Sequence, residues 1–76
     1  MEDNYERLSR GDFIERTRIE LNLTQEEVCK RAQISSATYT SIIKERNTVP
    51  YARTLHKIEN ALDLDYGTLI NYYKNY

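Results

Sequence analysis

The sequence predicts an all-α domain of five short helices. Three observations carry that prediction. Only two glycines and one proline occur in 76 residues, which leaves little material for hairpins or long loops. Apolar residues recur at three- and four-residue spacing along most of the chain. Ser, Thr or Asp stands immediately before several of these periodic stretches, where a helix needs an acceptor for its first N–H groups. The length suits one domain with a modest core, burying about 60–65% of its unfolded surface. Residues 12–76 form that domain in this reading, and residues 1–11, which show no clear period, form a lead-in.

Asp12 is the expected N-cap of helix 1, with Glu15 as the capping-box acid three residues on. Ile14, Arg18 and Leu21 share a stripe, so helix 1 covers about 12–21, and Asn22, tolerant of the left-handed conformation, is its stop. Thr24-Gln25-Glu26-Glu27 is a second capping box, opening helix 2 at about 25–32 with Val28, Cys29 and Ala32 inward. Gln33-Ile34 makes a tight turn. Ser35 caps helix 3, with Tyr39, Ile42 and Ile43 pointing inward and Ser36, Ala37, Thr40, Ser41 and Lys44 outward. The stretch around Pro50 breaks the pattern, and Leu55, Ile58, Ala61 and Leu62 define helix 4 at about 51–62. Asp65 is the expected cap of helix 5 at about 66–75, which carries Leu69, Ile70, Tyr72 and Tyr73.

Composition narrows the function classes. No run of about 18 apolar residues is present, and the polar, acidic start does not resemble a secretory signal, so no membrane partner is expected. The single cysteine cannot form an internal disulfide, which fits a cytoplasmic location. One His and one Cys do not make a conventional zinc site, and no cofactor motif or small-molecule site is evident. His56 has no triad companions, so the chain is not read as an enzyme. The formal net charge is −1, unpromising for a nucleic-acid partner until its distribution is considered. Residues 23–53 carry five basic and three acidic side chains, whereas residues 1–22 carry four and six. The positive surplus thus falls on the central helices.

Leu23-Thr24-Gln25-Glu26-Glu27, Cys29 at a small-residue position, Ile34-Ser35, the buried Ile42, and Pro50 followed by Thr54-Leu55 and Lys57-Ile58 together resemble the Cro/C1-type (lambda repressor-like, XRE) helix-turn-helix family. The matching stretch is about two thirds of the chain. Two steeply crossing helices need a small side chain where they meet, and Cys behaves there as a small hydrophobe. The resemblance implies a compact five-helix DNA-binding domain with its helix-turn-helix at about 24–46 and a recognition helix at 35–45 that enters a major groove. It also implies a sequence-specific transcriptional regulator of double-stranded DNA, a repressor of phage or mobile-element type, binding a palindromic operator as a homodimer. Three departures matter, one being a loop before Pro50 about one residue longer than usual, with Glu45 where a Gly often follows. Gln33 stands where the family usually has Gly, and Ile43 replaces the Glu that often pairs with the helix 1 arginine, so Arg18 needs another partner or faces water.

Carried onto this chain, the resemblance places Ser36, Ala37, Thr40 and Ser41 near bases. Gln25, Lys44, Arg46 and Arg53 fall near backbone phosphates. Ser contacts are ambiguous and Ala37 offers only a methyl, so specificity would rest on DNA shape and dimer geometry. Four of seven tyrosines fall in the last eleven residues. They either close the monomer core or, with Leu69, Ile70, Tyr72, Tyr73 and Tyr76, form the dimer interface. The acidic balance and plain reading face also fit a different class: a protein-interaction module of the same fold, such as an antitoxin or antirepressor.

Overall fold

The computed structural model describes residues 8–44 and 52–72. They form four α-helices, α1 (Arg10–Glu20), α2 (Gln25–Ala32), α3 (Ser36–Ile43) and α4 (Ala52–Ala61), with no strand among the described residues. Two of the four starts follow from the expected caps. Thr24 accepts the N–H of Glu27 at 3.0 Å while the Glu27 carboxylate accepts the N–H of Thr24 at 2.8 Å, completing the capping box of α2. Ser35 Oγ accepts the N–H of Thr38 at 3.1 Å at the start of α3.

The start of α1 differs from expectation. Ser9, not Asp12, is the N-cap, its hydroxyl accepting the N–H of Asp12 at 3.1 Å, and the helix begins two residues early. Asp12 becomes an acid in the first turn, where it complements the helix dipole. Glu15 is thereby released from a capping role for other work.

α1, α2 and α4 end alike. Asn22, Gln33 and Asp63 take left-handed backbone conformations at φ 60°, 57° and 58°. In each case the next residue's N–H reaches back five positions: Leu23 to Arg18, Ile34 to Cys29, and Leu64 to Glu59. Gln33 adopts this conformation without being glycine, at a cost of about 1 kcal/mol.

The core is a single cluster containing Ile14, Val28, Tyr39, Leu55, Ile58, Leu62 and Leu69, each no more than 2% exposed. Cys29 and Ala32 complete it from α2, as their spacing predicted. α4 packs mainly on α2, and α1 on α3. At the α1–α3 contact, Gly11 is buried, and a Cβ there would overlap the Ile43 carbonyl oxygen and lie 2.7 Å from its carbonyl carbon. Glycine is required because backbone meets backbone.

The expected fifth helix is the main correction. Residues 66–71 form successive turns, not an α-helix, and residues 73–76 lie outside the described residues. Two features explain the difference. Gly67 sits at φ 94°, outside helical space. The buried Glu59 carboxylate of α4 then captures the N–H groups of Gly67 (3.0 Å) and Leu69 (2.7 Å), fixing the chain as a turn over α4. Leu69, expected at an outward interface, is fully buried.

Candidate nucleic-acid interface

The α2–turn–α3 unit presents a polar face. Ser36, Ala37 and Lys44 are exposed, and Thr40 and Ser41 are half-buried, while Tyr39 and Ile42 on the opposite side anchor α3 in the core. Between α2 and α3 runs an open groove of about 680 Å³ whose walls include Gln25, Lys30, Ser36 and Thr40. Its floor includes Cys29, whose thiol burial pushes to a higher pKa, a property of packing and not of a reactive nucleophile.

Gln25 begins α2 and is exposed, close to the N–H groups of the first turn, which favour an anion. Its side chain already has a partner within the protein. Gln25 Nε2 donates to Glu15 Oε1 at 3.0 Å. Lys44 ends α3, and Arg53 lies exposed in the first turn of α4. Arg46 lies outside the described residues, as do Tyr73 and Tyr76.

Arg18 finds its partner one turn away on its own helix. Its Nη2 and Nε donate to the two oxygens of Glu15 at 2.9 and 3.1 Å, and its Nη1 donates to the Leu23 carbonyl at 2.6 Å. The phenol of Tyr39 then donates to Glu15 Oε2 at 2.6 Å. Glu15 therefore ties α1 to the start of α2 and the middle of α3. Partial burial pushes its carboxyl up, but the hydrogen bonds from Arg18, Tyr39 and Gln25 outweigh this and hold it below the usual range. Burial and then the Glu15 contact drive the Tyr39 phenol well above its ordinary value, so it stays a donor.

Sequence reasoning missed Glu15 as a hub and Gly11 as a spacer. The signal for the first was Glu15 and Arg18 at i, i+3 on a helix whose arginine lacked its usual partner. The second had no signal, because Gly11 falls in the stretch ahead of the helical pattern and enters α1 only through the earlier cap at Ser9.

At the C-terminal side, Tyr72 donates to the Leu8 carbonyl at 2.8 Å, and its ring lies 5.2 Å from that of Phe13. Arg10 Nε donates to the Leu69 carbonyl at 2.9 Å. Leu69 and Tyr72 thus close the monomer over the start of α1, and Ile70 packs half-buried against the core.

Among the described residues no helix is long and apolar enough to cross a membrane. The family model for a helix-turn-helix domain matches residues 11–74. Neither a curated protein nor a solved structure matches the chain significantly.

Proposed function

The chain belongs to the helix-turn-helix domain family, and on that premise we propose that this DNA-binding regulator is a sequence-specific repressor of phage or mobile-element type. α3 enters the major groove with Ser36, Ala37, Thr40 and Ser41 toward the bases. Gln25, Lys44, Arg46 and Arg53 meet phosphates on either side, setting register without reading sequence. The observation that carries this reading is the polar outer face of α3, held on a rigid base by Tyr39, Ile42 and the Gly11 contact. The palindromic operator is bound by a homodimer through the C-terminal segment, using Ile70, Tyr72, Tyr73 and Tyr76, with Leu69 supporting from inside the core. The abundance of tyrosine there supports an interface.

Genomic-fragment selection followed by footprinting tests the proposal. The expected result is protection of two half-sites about 34 Å apart, with binding that weakens steeply as salt rises. Equal affinity for the selected DNA and random duplex would overturn it.

A second reading, a protein-interaction module such as an antitoxin or antirepressor, is favoured by the acids Glu15, Glu26 and Glu27 gathered around the start of α2. A stable complex with a protein partner, indifferent to Gln25→Ala and Lys44→Ala, would select this reading.

A further inference from the structure

A glutamine amide has two N–H donors at one end and a carbonyl acceptor at the other, and rotation exchanges the two ends. Only the N–H end suits a phosphate. Gln25 is exposed at the start of α2, so an unrestrained side chain would sample both orientations and lose that freedom on binding. The Glu15 carboxylate removes the ambiguity. When ionised it only accepts, so the Gln25 nitrogen must face it, as the 3.0 Å contact shows. This leaves one N–H of the amide uncommitted to Glu15. The carboxylate is itself held from both sides, by the Arg18 fork and by the Tyr39 phenol of the recognition helix.

We propose that Glu15 is a positioning residue for DNA binding, holding the Gln25 amide with its remaining N–H ready for a backbone phosphate and tying that amide to α3 through Tyr39. The inference rests on the DNA-binding reading above. On charge alone, an acid near the DNA backbone opposes phosphate binding. The Arg18 guanidinium compensates that charge at 2.9 Å, and what remains is orientation.

The test is a double-mutant cycle with Glu15→Gln and Gln25→Ala, read as affinity for a mixed-sequence 30-base-pair duplex at low salt by fluorescence anisotropy. Phosphate contacts are made on any sequence, so the test does not depend on knowing the operator. Gln25→Ala should weaken binding about fivefold when Glu15 is present and less than about twofold in the Glu15→Gln background. The charge change from Glu15→Gln acts in both backgrounds and cancels in the cycle. Equal losses in the two backgrounds, or no loss from Gln25→Ala, would overturn the proposal while leaving DNA binding intact. Failure of the unsubstituted protein to bind any duplex at low salt would sink both readings. Side-chain NMR relaxation on the unsubstituted protein gives an independent answer that needs no variant to fold. The Gln25 amide should show an order parameter above ~0.6, and a freely mobile amide overturns the positioning role.

Discussion

At Gly11, α1 and α3 meet backbone to backbone, and α3 owes its seating to the absence of one carbon atom. Alanine is the better helix former by about 1 kcal/mol, so propensity alone predicts that Gly11→Ala stabilises the protein. The structure predicts the opposite. The added Cβ would lie 2.7 Å from a backbone carbonyl carbon of Ile43, which no rotamer change relieves. A net loss of about 2 kcal/mol is expected, lowering Tm by on the order of 10 °C and weakening DNA binding through a displaced α3. Thermal unfolding followed by circular dichroism decides between the two signs. Single residues of this kind are poorly legible in sequence, because a buried spacer and an incidental glycine look alike until the second backbone is in place.

At the level of the element, helix starts and stops are local events, and most were legible for that reason. Thr24 with Glu27, and Ser35 with Thr38, act within three residues, so their spacing specifies the cap before any tertiary contact forms. Asn22 ends α1 as its type suggests. Gln33 is the exception, a residue without a special tolerance for φ 57° placed where the chain must turn between α2 and α3. Gln33→Gly should therefore stabilise the protein by about 1 kcal/mol and raise Tm by roughly 4–8 °C. An unchanged or lower Tm would mean that the flexibility gained by the unfolded chain offsets the relieved strain. Helix 5 failed as an expectation at this same level. Its apolar spacing is helical, but Gly67 and the Glu59 carboxylate impose turns that spacing cannot reveal.

At the level of the whole molecule, Glu59 closes the fold. It is 1% exposed, and it gathers His56 at 2.9 Å together with the Gly67 and Leu69 N–H groups, seating Leu69 in the core. Burial pushes its carboxyl up, yet the contacts from His56 and the two backbone N–H groups prevail and hold it below the ordinary 4.5. A carboxyl that is more acidic folded than unfolded adds stability that is present above 4.5 and lost as pH falls through its lower folded value. Glu15 acts with the same sign, so acid should loosen both the C-terminal closure and the α1–α3 tie. Glu59→Gln removes the charge and should cost about 2–3 kcal/mol at pH 7, with a flatter stability profile as pH falls below the ordinary carboxyl value. Urea unfolding at several pH values checks this, and an unchanged slope would remove Glu59 as a source of acid sensitivity.

By itself the sequence determined the all-α class, the bounds of α2 and the start of α3, the inward residues of α2, α3 and α4 and the helix-turn-helix they compose, whereas the stripe expected on α1 ends at Leu21, which is exposed. Capping and periodicity operate over three or four residues, within the reach of a single turn. The tertiary structure decided which groups those helices share. Glu15 and Gln25 are ten residues apart, and Glu15 and Tyr39 twenty-four. Their meeting depends on how closely Gly11 lets α1 approach α3. The same holds for the C-terminal segment, where helical spacing yields to a carboxylate ten residues earlier. A buried charge must satisfy its hydrogen bonds wherever donors can be brought to it, and that requirement outweighs the weak helical preference of a few apolar residues.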